Sequence, residues 1–230
     1  MALGVVLLFL VSPMAGAYHD IGVEWVNDYS WPTSDLHHCD EDARGFRDKI
    51  TSDSDWYLYF EKSNGDCKDE HWQHQDDENY VDWANFAYYA GHGDEDELLI
   101  SSYWEHAEWD NCRWGDERDG WLNWVALSCC EAGKEKFSNA LQGVHLILGW
   151  KTSCTDTNYG STFAAKMIDN DWPVVDAWFY AGDVCGDSGD VQRVLGENSD
   201  VLSNDHIYGH GTVCPDPVVD DDYLYLDNPI

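Results

Sequence analysis

Lysine and arginine are scarce in this sequence: 12 of them stand against 45 Asp and Glu, a formal net charge of −33 over 230 residues. A chain so poor in cations cannot neutralise phosphate, which argues against nucleic-acid binding. Adsorption to anionic membrane surfaces is disfavoured on the same ground. Long apolar runs are missing beyond the first residues, so no later segment is expected to cross a bilayer. Internal repeats and low-complexity linkers are missing too, which argues for one domain. No two ligand pairs have zinc-site spacing, so neither a metal nor another cofactor is implied.

What is present is acid, spread along the whole chain, together with 43% hydrophobic and 14% aromatic residues, including 13 Trp and 13 Tyr. That aromatic content argues for a packed core and against disorder. Self-repulsion at this charge opposes compaction in dilute buffer, and at 1 M salt the reach of the repulsion falls to roughly 3 Å. The composition therefore reads as adaptation to concentrated salt. A calcium-laden surface protein is the alternative.

The first residues carry an apolar run, Leu3 to Val11, and then Ala15-Gly16-Ala17, an A-x-A cleavage signature. Residues 1–17 are thus expected to be a signal peptide, and residues 18–230 a single domain with an acidic C-terminal tail around Asp220 to Asp222. The protein is expected outside the cell, secreted or on the surface, with no membrane insertion once the signal is removed. The eight cysteines, Cys39, Cys67, Cys112, Cys129, Cys130, Cys154, Cys185 and Cys214, suit an exported chain. If the adjacent pair Cys129 and Cys130 stays free, six remain, which allows three disulfides in any of about 15 connectivities. A fully paired set is the competing reading.

Ile21 to Val26 reads as a first strand. Cys39-Asp40-Glu41-Asp42 reads as a helix start with an acidic first turn, followed by Ala43, Phe46 and Ile50 at helical spacing. Trp56 to Phe60 reads as a strand and Ser63 to Asn79 as an exposed loop. Three short apolar runs then stop abruptly: Phe86 to Ala90 at Gly91, Trp124 to Leu127 at Ser128, and Val144 to Leu148 at Gly149. Strands buried on both faces of a parallel sheet look like this. Helical stretches lie between and after them, at Lys134 to Leu141, at Thr162 to Ile168 and after Pro173. Tyr223 and Tyr225 could add an edge strand. The fold class expected is α/β, a three-layer α/β/α sandwich with a mostly parallel central sheet.

Ligands bind at the carboxyl ends of such strands, and two neighbouring runs end in reactive side chains. One delivers His92 between two glycines, the other Cys130. An imidazole beside a thiol can take its proton and leave the thiolate that attacks a carbonyl. Bare backbone at Gly93, together with the Cys130 N–H, could face a developing oxyanion.

Phe86-Ala-Tyr-Tyr-Ala-Gly-His-Gly93 followed by Trp124-Val-Ala-Leu-Ser-Cys-Cys130 resembles the motif pair of the caspase-like cysteine peptidases, a group that includes legumains, gingipains and clostripain. The chain is more closely similar to a family of caspase-like domains of bacteria and halophilic archaea. Ile21-Gly-Val-Glu-Trp25, Gly143-Val-His-Leu-Ile-Leu-Gly149, Asp176-Ala-Trp-Phe179 and Asn204-Asp-His-Ile-Tyr-Gly209 extend that likeness over nearly all of the mature chain. The resemblance implies a caspase-like fold, His92 as general base, Cys130 as nucleophile, and Gly93 and Cys130 as oxyanion donors. It implies a peptide or protein substrate. Ser128 stands where peptidases of this group often carry Asp, the Gln-Ala-Cys signature is absent, and Cys129 is a second candidate nucleophile. Cys129, Ser128 and His206 are candidate lining residues of the site.

His71 and His74, and His37-His38-Cys39, are weaker metal-ligand patterns that read more simply as solvated surface. Asp183 to Asp190 resembles a calcium loop only loosely, lacking the twelfth-position Glu. His145, inside an apolar run, reads as a satisfied core histidine. The tryptophans from Trp104 to Trp124 are expected to roof the site or pack an edge. Two functions follow: an exported His–Cys endopeptidase adapted to high salt, or a non-catalytic secreted or cell-surface binding protein that keeps the fold. Oligomeric state and substrate specificity leave no mark in the sequence.

Overall fold

The computed structural model describes residues 18–102, 105–116, 121–219 and 223–230. The expected signal peptide, Trp104 and the acidic run 220–222 lie outside the described residues. In chain order the elements are β1 (His19–Trp25), α1 (Cys39–Ile50), β2 (Trp56–Ser63), β3 (Phe86–Ala90), β4 (His92–Gly93), β5 (Glu97–Ser102), β6 (Glu105–Glu108), β7 (Trp124–Ser128), β8 (Leu146–Trp150), α2 (Gly160–Asn170), α3 (Val174–Cys185), β9 (Val191–Gly196), α4 (Ser199–Asn204) and β10 (Leu224–Pro229).

Seven strands form the central sheet in the order β10-β9-β8-β7-β3-β1-β2. From β2 to β8 neighbouring strands are parallel; β9 is antiparallel to β8 and to β10. Every residue of β3, β7 and β8 is buried. Continuous apolar runs are what that position requires, because both faces are covered. The strand after α1 lies on one side of β1 and the next lies on the other, so the winding reverses at β1, and the crevice outside the carboxyl ends opens there.

The two faces are covered differently. One core joins Val23, Tyr88, Ala126 and Leu148 of the sheet to Phe46 of α1, Phe163 of α2, Trp178 of α3 and Leu202 of α4. The other joins Ala87, Tyr89, Val125 and Ile147 to Trp72, Trp114, Phe137, Leu98 and Ala107, none of them in an α-helix. This second layer consists of short 3-10 turns and a three-stranded antiparallel sheet, β4-β5-β6. The expected α/β/α layering is therefore met on one face only, among the described residues. The stretch expected as a helix at Lys134 to Leu141 is a 3-10 turn, Glu135–Ala140, and the strand expected at Val144 to Leu148 sits two residues later as β8.

α1 forms where predicted. Asp40, Glu41 and Asp42 occupy its first turn and Arg47 and Lys49 its last, which complements the helix dipole at both ends. Its Ala43, Phe46 and Ile50 face the core. The helix lacks a side-chain cap of its own. Asp156, from the loop after β8, accepts the His37 N–H at 2.6 Å and the His38 N–H at 3.2 Å, and so ties that loop to the α1 entrance. No helix among the described residues is long and apolar enough to cross a membrane.

Candidate active site

Side chains alternate across a strand, and the alternation at the end of β7 separates the two adjacent cysteines. Cys129 falls with Val125 and Leu127 in the second core, fully buried. Cys130 falls on the opposite side and lines a crevice of about 130 Å³ with Leu36, Cys39, Gly91, His92, Ser128 and Cys154. Cys129 is not among the residues that line this crevice, and burial pushes its thiol far up, as does the Cys130 sulfur beside it. Ser128 is in the crevice, and its side chain bonds Asp42.

His92 follows β3 after Gly91, whose N–H donates to the Ser128 carbonyl at 3.3 Å. Its own N–H donates to the Tyr29 hydroxyl at 2.7 Å, and the Tyr29 ring lies tilted against the imidazole with centroids 4.7 Å apart. Nε2 lies 2.9 Å from the Ser34 carbonyl oxygen. A carbonyl only accepts, so Nε2 carries the proton of the neutral ring and Nδ1 is the basic nitrogen. Gly93 pairs with Leu98 across the β4–β5 hairpin while the Asp94 N–H donates to the Glu97 carbonyl at 3.0 Å. In that register the Gly93 N–H points out of the hairpin. A Cβ on Gly93 would stand 2.8 Å from the Cys129 Sγ and 3.3 Å from the Cys130 carbonyl oxygen. The glycine thus permits a close approach of β4 to the chain at Cys129 and Cys130.

Cys130 is set apart from the other thiols by its partners. The Cys154 sulfur lies 3.9 Å from the Cys130 Sγ, and the Cys154 N–H donates to it at 3.3 Å. The Cys154 side-chain hydrogen bond is the largest influence on Cys130; the backbone N–H and His92 add to it, and together they outweigh burial and bring the thiol down to about 6. Cys154 moves the opposite way, chiefly because it is the donor in that same bond. The thiolate therefore belongs to Cys130 and the proton to Cys154.

Beneath them Asp42 is fully enclosed, and burial raises its carboxyl to about 7. It accepts the Tyr88 hydroxyl at 3.0 Å and the Gly160 N–H, and so joins α1, β3 and α2 under the site. Tyr29, Cys154, Asp42 and Asp156 carry no sequence signal for this role, since they come from the loop after β1, the loop after β8 and helix α1, all remote in sequence from the His92 and Cys130 motifs.

Other expectations change. His206 is not at the site: the adjacent Asp205 accepts from the Trp124 indole at 2.7 Å and bonds His145 at 2.8 Å, and both of those lie at the amino ends of β7 and β8. His206 therefore lies toward the amino ends of the strands, the opposite end from the crevice. His145 is the satisfied core histidine expected of it. His71 is buried and bonds Glu24, while His74 pairs with Asp116 at 3.6 Å, so the two do not share a ligand. Trp114 and Trp124 are core residues and Trp121 stacks on Trp83 outside; among the described residues no tryptophan lines the crevice. All eight cysteines are free thiols, so none of the three expected disulfides is present. A larger open hollow of about 630 Å³ beside Asp116 and Asp216 contains neither histidine nor cysteine.

Residues 23–227 match the family described as Domain of unknown function (DUF6345). No curated protein matches the chain.

Proposed function

The chain belongs to the DUF6345 family, and we propose that it is an exported cysteine endopeptidase, built on a caspase-like version of the parallel α/β sheet and adapted to concentrated salt. The observation that carries this reading is the shared crevice: His92 and Cys130, at the ends of neighbouring parallel strands, both line it, and Cys130 is brought to thiolate there. A volume of about 130 Å³ holds one side chain rather than a whole small-molecule ligand, whose pockets run to about 300 Å³ and more. That suits a peptide lying across the opening.

Cys130 attacks the scissile carbonyl carbon as the thiolate, its proton having already passed to His92 Nδ1. The carbonyl oxygen becomes an oxyanion and is met by the Gly93 and Cys130 N–H groups. Collapse breaks the C–N bond, and the imidazolium protonates the departing amine. A thioester remains on Cys130. Water, deprotonated by His92, hydrolyses it to a carboxylic acid and frees the Cys130 thiolate beside the imidazolium. Ser34 holds the ring throughout through Nε2, and the surrounding acid favours cationic substrates.

Hydrolysis of casein and of basic peptides in molar NaCl tests the reading. The wild type is expected to cleave, and Cys130→Ala and His92→Ala to lose cleavage by about 100-fold or more. Cleavage that survives Cys130→Ala would overturn it, as would no cleavage by any of the three.

A further inference from the structure

Two of the eight thiols touch, and they do so inside the crevice. The remaining sulfurs have other neighbours: Cys39 Sγ faces Asp156 at 3.8 Å, Cys67 Sγ the Trp25 carbonyl at 3.4 Å, and Cys112 Sγ the Glu108 carbonyl at 3.4 Å. Only Cys130 and Cys154 combine sulfur contact with partial exposure of both residues. We propose that Cys130 and Cys154 are a redox pair, in which peroxide converts the two thiols to a reversible disulfide that closes the site.

The chemistry follows from which sulfur holds the proton. The Cys130 thiolate attacks one oxygen of hydrogen peroxide, the O–O bond breaks, and the products are a sulfenic acid on Cys130 and hydroxide. Peroxide is the oxidant. Cys154 then attacks the sulfenic sulfur. Its proton and the sulfenic hydroxyl leave as water, and the S–S bond forms. The first step prepares the second. While Cys130 is a thiolate, its negative charge and its demand for the Cys154 proton hold Cys154 protonated. A neutral sulfenic acid removes both restraints, and Cys154 becomes the better nucleophile just when it is needed.

Geometry permits closure. A disulfide needs its sulfurs about 2.05 Å apart, so the 3.9 Å separation must shrink by about 2 Å. Cys154 lies in the loop after β8 rather than in a strand or helix, and side-chain rotation with a small loop shift supplies that movement. Asp156 continues to hold the same loop on the α1 entrance. Closure takes the thiolate out of the crevice and leaves the fold in place.

The pair is tested on the native full-length protein in molar NaCl, without any proteolysis assay, so its outcome is independent of the peptidase reading. Protein is treated with hydrogen peroxide, alkylated with iodoacetamide, digested and read by mass spectrometry. The expected product is a Cys130–Cys154 linked peptide lighter by two hydrogens than the separate peptides, and dithiothreitol regenerates both thiols. In Cys154→Ala the sulfenic acid has no partner and is expected to accumulate as a dimedone adduct on Cys130. Cys154→Ser gives the same result in a side chain of nearly equal size. A linkage from Cys130 to Cys39 or any other cysteine would overturn the proposal. So would conversion of wild-type Cys130 to sulfinic acid without linkage, or no reaction at Cys130 at all.

Discussion

A single hydrogen-bonded contact decides which cysteine is reactive. Cys130 and Cys154 share one crevice, yet one is held as thiolate near 6 and the other as thiol. Alkylation of Cys130 is therefore expected to rise with pH through about 6 and then level off. Cys154→Ala removes the main stabiliser of the thiolate, so the inflection should move upward toward the ordinary thiol range near about 8.5. An unchanged inflection would show that Cys154 does not set it. Asp42 gives a second pH signature. Its folded carboxyl sits at about 7, above the ordinary value near about 3.9, so between those values the folded state keeps a proton that the unfolded chain releases. Its contribution to stability is thus present in acid and lost as pH rises through 7. Asp42→Asn keeps an oxygen for the Tyr88 hydroxyl and the Gly160 N–H, and should gain on the wild type in melting temperature as pH rises from about 4 to 8. Parallel curves would contradict this. Of the residues at the crevice, His92 and Cys130 were legible because each follows closely on an apolar run. Tyr29, Asp42 and Cys154 were not, because nothing in their local sequence differs from ordinary core or loop. His206 misled because a Gly-rich turn says nothing about which end of the sheet it meets.

Elements that are dry on both faces announce themselves, and those that bury polar groups do not. Phe86 to Ala90 and Trp124 to Leu127 read as strands because every position in them is apolar and buried. β9 also has a neighbour on each side in the sheet but contains buried Gln192 and Arg193. It is satisfied by bonds that come from distant residues: Gln192 Nε2 donates to the Trp178 carbonyl at 2.7 Å, and Arg193 donates twice to Asp227, at 2.6 and 2.9 Å. The second of these fastens β10 to β9. The Arg193 side chain is 4% exposed and that of Asp227 27%. Asp227→Ala leaves a buried guanidinium without its carboxylate, and urea unfolding should register a loss of about 3 kcal/mol, the lower end of the range for breaking a buried pair. A loss under about 1 kcal/mol, the value of a surface pair, would contradict it. The loop after Cys130 is positioned by backbone contact: a Cβ on Gly149 of β8 would stand 2.8 Å from the Gly133 nitrogen. Gly149→Ala should cost about 1–3 kcal/mol through overpacking and slow alkylation of Cys130 by moving its loop. Wild-type stability and reactivity in this variant would show that the contact is unimportant. The second layer escaped the sequence reading altogether, since 3-10 turns have no hydrophobic period long enough to see.

Charge belongs to the molecule as a whole. With a formal net charge of −33, the folded chain is opposed by its own field, and no one ion pair offsets that. Screening should relieve it, so the melting temperature is expected to rise from low salt to molar NaCl; a flat or falling curve would remove the case for salt adaptation. The same condition suits the decisive test of the site, because a fold weakened in dilute buffer would lose reactivity for reasons unrelated to chemistry. In molar NaCl, the wild type, His92→Ala and Cys130→Ala are exposed to an electrophilic peptidyl probe, and the modified residue is identified by mass spectrometry. The account predicts one label, on Cys130, that is much reduced in His92→Ala and absent in Cys130→Ala. Equal labelling of all three proteins would contradict it.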